Sequence, residues 1–230
     1  LTGPKRALED PRGFCFTLCA EPKFEFLQDF KQFHLLDVAF KPYPCARQLH
    51  AGVEALLKLT SEYSIGAEAI RQIELAVPTQ NAGMIDRPAT PTLRAATLGS
   101  GQYVMAVTAL RGKIDLASFE DEFLQSVPVR QLMTKVTVSA STELDRHFPK
   151  YWAGRVTVTL ADGQVQTQEI IAPKGEIENP LTRQDVEAKF LGLTGPVLGE
   201  EKARAVIDEV SLLDTRDSMA PLLAALKLSE

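Results

Sequence analysis

Apolar residues keep a helical spacing early in the chain: Leu49, Val53, Leu56 and Leu57 stand at i, i+4, i+7 and i+8. That spacing gives one buried face to a helix opened by Pro44, whose fixed φ suits a first turn, and running to about Tyr63. Residues 11–20 and 23–30 read as short helices and 35–41 as a brief strand. Residues 69–78 read as a strand in which Ile70, Ile73, Leu75 and Val77 are apolar and only the last three alternate. Residues 81–92 hold Pro, Gly, Asn and Asp without a period, which predicts a long loop. Helix resumes over 93–98 and again from Tyr103 to Arg111, with Gly99-Ser100-Gly101 between and Ser100 placed as an N-cap.

Short helices are expected at 117–125 and 127–134, then a strand at 135–140 with Val136 and Val138 on one face. The strongest local signal is a hairpin: 155–160 and 164–171 flank Ala161-Asp162-Gly163, and Asp-Gly supplies the positive φ of a tight turn. Thr182 with Asp185 three residues on approximates a capping box, and helical pattern follows over 185–193, 199–212 and 218–226. Helices, mixed strands and helices, then helices again make an α+β chain. Its middle, about 35–172, forms an antiparallel-rich sheet with helices on a face.

Composition narrows the classes of function. The 230 residues are 45% hydrophobic and 24% charged, with a mean hydropathy of -0.05, as in a globular protein. A net charge of -5 and a pI near 5.4 give no electrostatic draw toward nucleic acid or an anionic membrane. No apolar stretch approaches the roughly 20 residues of a membrane helix. Three cysteines, an odd count, argue for a reducing and hence cytoplasmic setting, with Cys15, Cys19 and Cys45 as buried thiols rather than a metal site. The chain opens Leu1-Thr2-Gly3-Pro4, without Met or signal-peptide pattern, and is expected to belong to something longer.

Polar residues that carry chemistry are densest at Lys41-Pro42-Tyr43-Pro44-Cys45-Ala46-Arg47-Gln48-Leu49-His50. A helix N-terminus there favours anions, and Lys41 and Arg47 beside it would form a cradle for a carboxylate. His50, Arg47 and Glu54 share a helix flank, and a histidine there is suited to move protons near neutral pH. A plain solvated flank explains the same residues. Tyr103, with Val107 and Leu110 on an apolar face, reads either as core or as a group beside a ligand that the neighbouring glycines admit. Gly99-Ser100-Gly101 fits neither a phosphate loop nor a nucleophile elbow. His34 and His147 are lone histidines, and Glu120-Asp121-Glu122 reads as a solvated face.

Phe40-Lys41-Pro42-Tyr43-Pro44-Cys45 with His50 following resembles the Lys-x-Tyr-Pro-Cys…His signature of the MmgE/PrpD family, which includes 2-methylcitrate dehydratase, cis-aconitate decarboxylase and iminodisuccinate epimerase. Gly101-Gln102-Tyr103, Leu132-Met133-Thr134-Lys135-Val136, Arg155-Val156-Thr157-Val158 and Pro173-Lys174-Gly175 up to Asn179-Pro180-Leu181-Thr182 agree in order. The resemblance implies the later half of a two-domain protein. It divides the chain into the end of a helical-domain segment (1–34), an α+β lid (35–177) and helices returning to the helical domain (178–230). It implies Lys41, His50 and Tyr103 as catalytic residues and Lys41 and Arg47 as substrate-binding ones. Ala46 stands where relatives often carry a second cysteine or a histidine.

The chemistry so implied is cofactor-independent and metal-free. A proton is removed next to a carboxylate of a small di- or tricarboxylate such as 2-methylcitrate, and water is then lost. Cations neutralise the substrate carboxylates meanwhile. The implied partners are the substrate, an N-terminal helical half and a second copy in a homodimer. Two alternatives stand beside this: a non-catalytic binding or assembly module that keeps the lid fold, and an epimerase or decarboxylase of the same family.

Overall fold

The computed structural model describes residues 3, 5–27, 30–31 and 34–227. It forms two units, Leu1–Val38 and Ala39–Glu230. The first holds helix α1 (Phe14–Leu18) and 3-10 turns at Phe24–Leu27 and His34–Asp37. Its ordering is local: the rings of Phe16 and Phe24 lie 5.8 Å apart, while Phe14, Leu18, Phe26, Phe30 and Leu35 remain exposed. Cys19 is exposed and Cys15 half-buried, so neither is the enclosed thiol the sequence suggested; Cys45 is. Too little apolar surface closes over residues 15–19 to bury them.

The second unit opens with a 3-10 turn, Arg47–Leu49, that runs into α2 (His50–Glu62). Helix therefore starts three residues after Pro44, which stays in a turn. Then follow β1 (Ile70–Pro78), α3 (Thr79–Ile85), α4 (Arg94–Thr97) and α5 (Gly101–Arg111). A 3-10 turn (Leu116–Phe119), α6 (Asp121–Leu124), α7 (Val127–Met133) and β2 (Val136–Ser141) come next. The hairpin strands are β3 (Gly154–Leu160) and β4 (Val165–Ile170), and the chain closes with α8 (Arg183–Leu198), α9 (Glu200–Ser211) and α10 (Ala220–Ala225). Among the described residues no helix is long and apolar enough to cross a membrane.

The four strands order β2-β1-β3-β4. β1 pairs parallel to β2, whereas β1–β3 and β3–β4 are antiparallel, so the fold is α+β with an antiparallel-rich sheet. Alternation sets its two faces. Ile73, Leu75, Val77, Val136, Val156 and Val158 are buried beneath the helices. Gly52 of α2 lies so close to β1 that a Cβ there would come within 2.5 Å of the Leu75 side chain. The other face is polar: Ser139 Oγ donates to Glu74 (3.0 Å), the Thr157 and Thr167 hydroxyls meet at 3.1 Å, and Arg155 pairs with Glu169 and Glu143 at 2.9 and 2.7 Å. The broken alternation of 69–78 has a cause. Register passes from Ile70↔Leu160 to Gln72↔Thr159, and the bulge at Arg71 turns both Ile70 and Ile73 inward.

Two further sequence expectations fail. Residues 35–41 are no strand: after the 3-10 turn the backbone is extended but unladdered, because the Phe40 N–H goes to the Gly175 carbonyl (2.8 Å) rather than to a neighbouring strand. Asn81–Ile85 is helix, not loop, because the carboxylate of Asp145 accepts from the N–H and hydroxyl of Thr79 (2.7 and 2.9 Å) and caps the helix from 66 residues away.

Candidate functional site

Lys41 sits on the extended stretch before α2, and its backbone is held from two sides. Lys189 of α8 donates to the Lys41 carbonyl at 2.6 Å. Next to it, the Phe40–Gly175 hydrogen bond brings the chains so close that a Cβ on Gly175 would lie 2.0 Å from the Phe40 carbonyl oxygen. Gly175 also has φ +92°, a conformation L side chains rarely adopt. Two prolines then turn the chain, so that the Cys45 carbonyl points back at the lysine. Lys41 Nζ donates to it at 3.3 Å, and His50 Nε2 lies 3.4 Å from the same oxygen. The Ala46 N–H donates to the Leu98 carbonyl at 2.8 Å, and between these two segments opens a cleft of about 330 Å³ lined by Lys41, Pro44, Cys45, Ala46, Leu98 and Gly99.

His50 is fully enclosed, with the Tyr43 ring edge-on at 5.3 Å and its Nδ1 without a partner among the described residues. Burial lowers its pKa from the usual 6.5 to about 4; the Cys45 carbonyl opposes this, while the charges of Arg47, Lys41 and Lys189 add to it. The ring is therefore neutral near pH 7, where the sequence placed its titration. Burial likewise pushes the Cys45 thiol up to about 12 against the pull of Lys41. The Tyr43 phenol also rises to about 12, through burial and then through Glu54, Cys45 and Asp185. Neither is a nucleophile at neutral pH.

Arg47, Glu54 and His50 share a flank but take different partners. Arg47 pairs with Glu176 at 2.6 Å and also donates to the Phe40 carbonyl at 3.3 Å. Glu54 accepts from the Lys174 N–H at 2.7 Å and pairs with Lys58 at 2.9 Å. The turn 174–176 thus clamps both charges of the flank, and Glu176 offsets the positive charge the sequence assigned to Arg47 for substrate.

Tyr103 lies in the core. Its hydroxyl donates to the Ser118 carbonyl at 2.8 Å, its ring is 6.0 Å from that of Phe119, and burial raises its pKa to about 12 against Arg111. The Ser100 hydroxyl accepts from its N–H at 3.2 Å, the expected N-cap. The structure brings Lys41 and His50 onto one carbonyl, sets Arg47 beside them with its own carboxylate, and places Tyr103 away from the cleft lining. Sequence reasoning missed Glu176 and Lys189, which lie more than a hundred residues downstream; Gly175, between two charged residues, was the one visible hint of a tight approach.

Residues 43–215, from two residues after Lys41 through the sheet to just past α9, match the family model described as the MmgE/PrpD C-terminal domain. The chain belongs to the MmgE/PrpD family. Among curated relatives, cis-aconitate decarboxylase of Aspergillus terreus is 29% identical over 203 residues, covering 84% of this chain and 41% of its own length. Cis-aconitate decarboxylase of Mus musculus is 26% identical, with 83% and 40% covered. Alkylcitrate dehydratase phiI of a fungal species (strain ATCC 74256) is 24% identical, with 94% and 44% covered. The chain spans about two-fifths of the length of these relatives. A lyase or dehydratase type of activity thus characterises the MmgE/PrpD relatives it matches.

Proposed function

We propose that this chain is the C-terminal part of a cofactor-independent MmgE/PrpD lyase acting on a small di- or tricarboxylate of the alkylcitrate or cis-aconitate kind. In this reading Lys41 is its carboxylate-facing cation. The carrying observation is the shared Cys45 carbonyl. Lys41 reaches it from an exposed position on the cleft lip, so a substrate carboxylate competes for the ammonium with a neutral oxygen and exchanges a long bond to a carbonyl for an ion pair. A base supplied by the completing helical half would then take a proton next to that carboxylate and return one to the departing hydroxyl, which leaves as water, while the Lys41 ammonium stabilises the charge that develops. His50, enclosed and neutral, steadies the carbonyl. Tyr103, which the resemblance implies as catalytic, enters this proposal through a closure that brings its hydroxyl off the Ser118 carbonyl and out of the core.

Exposed apolar side chains on α8–α10, among them Val186, Val197, Val210 and Leu223, support completion of the site by a further helical segment. Homodimerisation and a cytoplasmic setting are part of the same reading. The test is turnover of 2-methylcitrate and cis-aconitate, followed by proton NMR, for this chain alone and mixed with an N-terminal helical half. Activity is expected only in the mixture, falling at least about a hundredfold in Lys41→Ala. Full activity from this chain alone overturns the proposal that a second half completes the site, and an unaffected Lys41→Ala overturns the role of Lys41 and favours the assembly-module reading.

A further inference from the structure

We infer that Arg87 is a second carboxylate-binding arm of the Lys41 cleft, an inference that rests on the carboxylate reading above. The backbone of Arg87 is held unusually firmly for a loop residue. Its N–H donates to Gln102 Oε1 at 2.9 Å, and its carbonyl accepts from Ser100 Oγ at 3.0 Å. The other end of the Gln102 amide donates to the carboxylate of the preceding Asp86 at 2.7 Å. Gln102 and Ser100 are themselves buried at the start of α5, so this loop is fixed to the rigid part of the fold.

The side chain contrasts with that backbone. Arg87 is exposed, and among the described residues its guanidinium has neither an ion pair nor a hydrogen-bond acceptor. Its nearest carboxylate in sequence, Asp86, is engaged by Gln102. The guanidinium lies against Gly99, 3.7 to 4.0 Å from where a Cβ on that residue would stand, and Gly99 lines the cleft with Lys41. Gly99 thus stands between two cations with different states: Lys41 lines the cleft and rests on a carbonyl, and Arg87 lies against Gly99, outside the lining itself, on a pinned backbone with its fork open. A planar fork matches a carboxylate in two parallel hydrogen bonds, which a lysine does not. Pre-fixing the backbone lowers the ordering that such a contact costs. A substrate carrying more than one carboxylate would engage both.

The experiment titrates tricarballylate, a tricarboxylate with no hydroxyl or double bond to react, into the full 230-residue chain and reads amide shifts by NMR. Shifts at Gly99 and Arg87 are expected, with Arg87→Gln weakening binding at least about tenfold and Arg87→Lys retaining part of it. Both substitutions keep the backbone hydrogen bonds, so an unchanged Tm is expected. No binding by the parent chain, or binding by Arg87→Gln within twofold of the parent, overturns the inference. Loss of lyase turnover in the completed protein while Arg87-dependent binding persists would remove the proposed reaction and leave this site standing.

Discussion

His50 shows how one buried ring couples structure to pH. Unfolded, it titrates near 6.5; folded, its pKa sits at about 4 because burial penalises the charged form. The unfolded chain thus takes up the proton first. The folded state keeps its full stability above about pH 6.5 and loses it as pH falls from there toward 4, by about 3 kcal/mol in all. Asp185, held down to about 2 chiefly by hydrogen bonds from Thr182 and Lys174, adds its loss only at lower pH. Urea midpoints at pH 7.5 and 4.5 should therefore differ clearly for the parent and much less for His50→Gln. A further property follows from the partner. A carbonyl only accepts, so the proton sits on Nε2 and Nδ1 keeps a bare lone pair, a tautomer that ring nitrogen shifts will report.

At the scale of elements, what the sequence revealed was local and what it concealed was tertiary. The hairpin was legible because Asp162-Gly163 demands its turn, and Gly163 has φ +91°. The capping box of Thr182 and Asp185 forms as read, because both partners lie within three residues. The start of α3 was illegible, since the carboxylate that caps it belongs to Asp145. So was the state of Arg47, whose partner Glu176 arrives with the 174–176 turn. That turn makes its own prediction. Gly175→Ala combines a left-handed φ with a collision against the Phe40 carbonyl and should cost about 3 kcal/mol. Thermal melts check the cost, and NMR shifts at Lys41 and Cys45 check that the damage reaches the cleft.

Across the whole molecule, stability is unevenly spread. α2 has eight buried residues and α5 nine, whereas α8 has none and α9 only Ala203 and Val206. Hydrogen exchange should accordingly be slowest in α2, α5, β1 and β3 and faster by orders of magnitude in α8–α10; equal protection throughout would contradict this. Yet the loosely packed helices are not idle bystanders to the cleft. Through the Lys189 ammonium, α8 holds the peptide plane of Lys41, 148 residues earlier in the chain. Whatever grips or releases that late helix therefore pulls a short mechanical leash. Docking events on the C-terminal helices would be felt one peptide away from the ammonium, without any rearrangement of the sheet between.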